Sequence, residues 1–127
     1  MAKENRYLVK ANSQPPYSPN NHTGTVNRRL ISPETTGAKG IEVLLGVIEP
    51  GQGALPHAHP GIEQVCYLLE GTAHVEVGSE TFDMEPGDCC YLPADVMHVF
   101  LVTGESPARV LVIYTPPYEE NPSRVIR

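Results

Sequence analysis

Positive charge is scarce in this chain. Nine Lys and Arg stand against 15 Asp and Glu in 127 residues, for a net charge of −6 and a pI near 5.3. No basic block is present, which argues against nucleic acid and anionic membranes as partners. Long apolar runs are missing too: nothing approaches the ~18 residues of a membrane helix. The opening residues, from Met1 to Tyr7, lack the apolar core of a signal peptide. These absences predict a cytoplasmic protein. Only three cysteines occur, Cys66, Cys89 and Cys90. An odd count with two sequence neighbours makes a poor disulfide framework. Without a Cys-x-x-Cys pair, a structural zinc site is not expected either. The cysteines read as small buried hydrophobes. Helical periodicity is almost absent.

What is present reads as one domain of β-strands. Length and composition, 40% hydrophobic and 19% charged, suit a single globular core. Residues 1–23 contain Gln14-Pro15-Pro16-Tyr17-Ser18-Pro19 and read as an extended N-terminal arm with no core of its own. Short alternating or β-branched stretches follow at 25–31, 41–48, 65–69, 72–77, 80–84, 89–92, 98–103 and 109–115, separated by Gly, Pro and Asp turns. Val26 and Leu30 mark the first as an edge strand. Residues 24–116 therefore predict an all-β sandwich or barrel, with closure favoured because open edges must be covered. Residues 117–127 read as a polar C-terminal tail.

The chain is organised around 51–71, where His57-Ala-His59 follows a Pro/Gly-rich loop and precedes Glu63-Gln64. On an extended strand His57 and His59 share a face, with Cα atoms about 6.5 Å apart. That spacing lets two imidazoles reach one ion from the same side. A third histidine, His98, begins an apolar strand after Gly87 and Pro93, and shares its face with Phe100 and Val102.

The two stretches together resemble the cupin superfamily. Its first motif is Gly, five residues, His-x-His, three or four residues, Glu, six residues, Gly. Here Gly51, His57, His59 and Gly71 match. Its second is Gly, five residues, Pro-x-Gly, two residues, His, three residues, Asn. Here Gly87, Pro93 and His98 match, with Asp95 in place of Gly and Val102 in place of Asn. The resemblance implies an all-β cupin jelly-roll β-barrel, often dimeric, holding one divalent metal ion. At the carboxylate position, counting back from Gly71 selects Gln64, and counting on from His59 selects Glu63. Some small cupins use three His and one Gln, so His57, His59, Gln64 and His98 are the expected metal ligands.

If Gln64 faces inward, Cys66 and Leu68 do too. Cys66, Leu68, Phe100 and Val102 are then the expected pocket lining. Three imidazoles and an amide leave a divalent ion its full charge, which favours an anionic, oxygen-chelating ligand. Zn, Fe, Ni, Mn or Cu all suit such donors. His74 reads as solvent-facing and His22 as a solvated residue of the arm. The functional expectation is a metal-dependent small-molecule enzyme, an oxygenase or a lyase/isomerase acting on an oxygenated, anionic metabolite. The alternative is a non-catalytic small-ligand binding or sensing protein. A homodimer is expected, because Val65, Tyr67 and Leu69 leave an apolar outer face to be covered.

Overall fold

Each alternating stretch becomes a strand in the computed structural model of the chain, which describes residues 6–127. The first five residues of the expected arm, and of the stretch read against a signal peptide, lie outside the described residues. The strands are β1 (Thr25–Ile31), β2 (Glu42–Ile48), β3 (Gly53–His57), β4 (Glu63–Glu70), β5 (Thr72–Val77), β6 (Glu80–Met84), β7 (Cys89–Leu92), β8 (His98–Thr103) and β9 (Ala108–Thr115). They form a five-stranded sheet, β1-β2-β9-β4-β7, and a four-stranded sheet, β3-β8-β5-β6. All the ladders are antiparallel. This is a jelly roll. The expected closed cylinder is not formed, since no ladder joins the two sheets among the described residues. No helix among those residues is long and apolar enough to cross a membrane.

Alternation decides the core. Leu44 and Ile48 of β2, Leu68 of β4, Val75 of β5, Leu92 of β7 and Val110 of β9 point between the sheets and are buried. Burying each such side chain contributes roughly 1.5–3 kcal/mol. β1 departs from this pattern. Val26 faces outward, while Thr25 and Asn27 are buried against the interior. Gly46 makes room for that asparagine, since a Cβ there would lie 2.8 Å from Asn27 Oδ1.

The described part of the arm and the tail are both fastened to the sandwich. In the arm, Tyr17 pairs with Asn27 (N–H···O 2.9 and 2.7 Å), and Arg29 lies over the Tyr17 ring at 4.1 Å. A bridge then joins His22 to Ala54. In the tail, the buried Glu42 carboxylate accepts from the backbone N–H groups of Tyr118 (3.1 Å) and Glu119 (3.0 Å). The Arg29 guanidinium sits 3.7 Å from the same carboxylate. A charge that is 1% exposed requires such partners. Further on, Ala58 and Ile126 exchange two backbone bonds of 2.7 Å.

Candidate metal centre

The β3–β8 ladder makes His57 and His98 direct cross-strand partners. Close approach of these strands depends on Gly53, whose φ is +152°. A Cβ at this position would lie 2.0 Å from Phe100 O. The strand expected to run through His59 ends at His57, and Ala58 turns aside to bridge Ile126. His59 is instead held by its own carbonyl, which accepts from Asp95 N at 3.1 Å. Asp95 adopts φ +69°, a left-handed conformation that Asp tolerates better than most residues. Its carboxylate accepts from Gly61 N at 3.2 Å. The residue standing where the motif has glycine thus keeps glycine's backbone conformation and clamps the His59 loop.

The result is a cluster. Ring centroids are 4.3 Å apart for His57–His98, 4.8 Å for His57–His59 and 5.6 Å for His59–His98. One ligand nitrogen from each of the three lies within 4.8 Å of the others. Tyr118 packs on His59 at 4.3 Å. Each Nδ1 faces a backbone carbonyl: His57 to Leu55 O at 2.6 Å, His59 to Arg124 O at 2.9 Å, and His98 to Val96 O at 3.4 Å. A carbonyl only accepts, so Nδ1 carries the proton and Nε2 keeps its lone pair for an ion. Burial lowers all three pKa values, to about 4 for His59 and about 3 for His98. The imidazoles are therefore neutral at pH 7, as ligands must be.

Gln64 faces inward and is 8% exposed. Glu63 is exposed on the opposite face, where its carboxylate accepts from Tyr91 Oη. The Gln64 amide donates to Cys66 Sγ at 3.5 Å, while its oxygen has no partner. His59 Nε2 and His98 Nε2 are buried and unpartnered as well. Each such atom costs about 1–3 kcal/mol unless something satisfies it. Two unpartnered imidazole nitrogens and an unpartnered amide oxygen are donors that suit a divalent ion.

A cavity of about 30 Å³ adjoins the cluster. His57, Gln64 and His98 line it, together with His22, Thr25 and Asn27. Of the residues expected to line the pocket, Cys66 and Phe100 do. Leu68 and Val102 do not, and belong to the packed core. A hydrogen bond with Cys90, with burial added, holds the Cys66 thiol well above its usual range. It therefore stays protonated at neutral pH in the metal-free protein. His74 lies on the outer face of β5, beside Asp83 at 2.9 Å. His22 is not the solvated residue that the arm's composition suggests. Its Nδ1 is buried and unpartnered, and burial, with His57 and His59 nearby, lowers its pKa to about 4. No local pattern marks His22, because its place is set by pairing with Ala54 on a strand distant in sequence.

A jelly roll with three carbonyl-anchored imidazoles converging on one point defines a class, the single-domain β proteins built around a candidate metal centre. The chain belongs to the cupin family, and residues 44–114 match the family described as the cupin domain. It is 32% identical over 105 residues to "Polyketide synthase CurC" of Streptomyces cyaneus, a match spanning 83% of this chain and 68% of the relative. The solved structure of KdgF from Halomonas sp. superposes with a TM-score of 0.77 at 18% identity, covering 89% of this chain and 97% of that one. The polyketide cyclase RemF from Streptomyces resistomycificus superposes with a TM-score of 0.71 at 23% identity, covering 91% and 80%.

Proposed function

We propose that this cupin is a metal-dependent enzyme acting on a small oxygenated, anionic metabolite, as an oxygenase or a lyase/isomerase. One observation carries the reading: three buried imidazoles have their Nδ1 atoms tied to carbonyls and converge next to a cavity that Gln64, with its unpartnered oxygen, also lines. His57, His59 and His98 would hold the ion, with Gln64 as the fourth ligand. A bound divalent ion supplies Lewis-acid polarisation of a substrate oxygen or, if redox-active, a route to O₂ chemistry. The described lining residues include no carboxylate and no Lys or Arg. Nothing in the cavity offsets the ion's charge, which favours an anionic ligand. The relatives support a small-molecule substrate through their names, polyketide synthase and polyketide cyclase.

The same lack of a lining carboxylate or lysine favours a second reading, a non-catalytic binding protein, because few groups stand ready to move a proton. A substrate screen with an oxygen-uptake readout separates the two. Metal analysis of the purified protein tests their common ground. The wild type should carry about one divalent ion per chain, one being the number that a single three-histidine cluster can hold. The double variant H57A/H98A should carry none. Full occupancy in that variant rejects the site. We also propose that two copies pair through the outer face of the larger sheet, where Tyr67 and Leu69 are exposed.

A further inference from the structure

A fourth imidazole faces the cavity from outside the two histidine motifs. His22 is carried by the arm, which lies along the free edge of β3. Thr23 N donates to Gly53 O at 2.9 Å, Leu55 N to Asn21 O at 3.0 Å, and Asn21 Nδ2 to Leu55 O at 3.1 Å. Asn20 N donates to Glu120 Oε1 at 3.0 Å and ties the arm to the tail. These bonds hold the His22 ring 5.8 Å from the His57 ring, centroid to centroid. His22 stands outside the cluster whose ligand atoms lie within 4.8 Å of one another. It therefore faces the candidate ion site without belonging to it.

Its Nδ1 is buried and has no hydrogen-bond partner. Three other polar groups of the cavity have roles of their own. Thr25 Oγ1 donates to Thr23 O at 2.8 Å, and Gln64 Oε1 and His98 Nε2 belong to the ligand set. No atom of the described residues hydrogen-bonds His22 Nδ1, which leaves it for a molecule that enters the cavity. The cavity, about 30 Å³, takes only a few heavy atoms at this point.

We propose that His22 is a ligand-contacting residue of this cavity: its Nδ1–H donates to the second oxygen of a two-oxygen anion, such as a carboxylate, whose first oxygen lies against the His57–His59–Gln64–His98 set. The inference rests on the metal reading above and adds the group that selects the ligand. A two-oxygen anion offers one oxygen to the ligand set and one to His22, whereas a single-atom anion has only one atom to offer.

The test uses full-length protein loaded with cobalt(II), whose visible spectrum reports ligand binding without turnover. The probes are formate, with two oxygens, and chloride, with one atom. Wild type, H22A, H22N and H22Q should bind cobalt with equal stoichiometry. H22A should bind formate about tenfold or more weakly, the scale of one charge-assisted hydrogen bond. Its chloride affinity should be unchanged. An Asn amide falls near the position of Nδ1 and a Gln amide near that of Nε2, so H22N should recover formate binding and H22Q should not. Should H22A not fold, H22Q supplies the weakened variant.

Equal formate affinity in wild type, H22A and H22Q overturns the proposal alone. Loss of cobalt from the variants also overturns it, because His22 then supports the metal set itself. A wild type that takes up no cobalt overturns the metal reading, and this inference with it.

Discussion

At the scale of single residues, the site turns on which side chain of the pair Glu63-Gln64 faces inward. Gln64 does, and Glu63 is held outside by Tyr91. Gln64→Leu should lower metal affinity, since no oxygen remains to meet the ion. Gln64→Glu should keep the metal but weaken binding of a small carboxylate, because it removes one unit of net positive charge from the site. Glu63→Gln should leave the metal in place. Isothermal titration of the apo-variants separates these cases. Metal loss in Glu63→Gln, with retention in Gln64→Leu, would reverse the assignment.

The three buried histidines and the half-buried His22 make a second expectation. His22, His57, His59 and His98 all have pKa values lowered from 6.5, three of them to between about 3 and about 4. Between pH 6.5 and about 4 the unfolded chain therefore binds protons that the folded chain refuses. Stability is full above pH 6.5 and drains away as the pH falls through that window. The melting temperature of metal-free protein should drop steadily from pH 6.5 to 4, and less steeply in a H59Q/H98Q variant. Parallel profiles for the two proteins would refute this origin.

At the scale of elements, the two motifs meet because β3 and β8 are neighbours, and the meeting is steadied by segments with no motif of their own. The tail supplies the carbonyl of Arg124 to His59 Nδ1 and the Ile126 bridge to Ala58. Glu42 pins that tail from the start of β2. Removing Ser123 to Arg127 should therefore lower metal affinity about 10- to 100-fold, the usual effect of losing an outer-shell partner. The strands should stay folded, since their ladders do not involve these residues. Equilibrium dialysis and circular dichroism read the two effects separately, and unchanged affinity would remove the tail from the site.

At the scale of the whole molecule, the outer face of the five-stranded sheet exposes several apolar side chains on β4 and β7. Tyr67 is 38% exposed, Leu69 41% and Tyr91 53%. Apolar surface of this kind, gathered on one sheet, favours association. Light scattering should give twice the 13.9 kDa chain mass at micromolar concentration, and a Y67E/L69E variant should give the monomer. A wild-type monomer under the same conditions would count against the pairing. The acidic net charge of −6 stands apart from the site, whose described lining carries no carboxylate.

The strands were legible in the sequence because alternation is a local property. The stretch 72–77 is a strand whatever lies beside it, and a one-residue shift would turn its apolar side outward. The two histidine motifs were legible for the same reason, since their spacing lies within single stretches of chain. Counting back from Gly71 in the cupin motif also pointed to Gln64, while counting on from His59 pointed to Glu63. What tertiary structure alone decided is everything that depends on a distant partner. His59 meets the carbonyl of Arg124 across 65 positions, and Asn20 meets Glu120 across 100. The inward turn of Thr25 and Asn27, against the weak apolar pattern of Val26 and Leu30, follows from the cavity they line. His22 carries no sequence signal. It is an arm histidine until pairing with β3 brings it to the cavity, where its Nδ1 is buried without a partner.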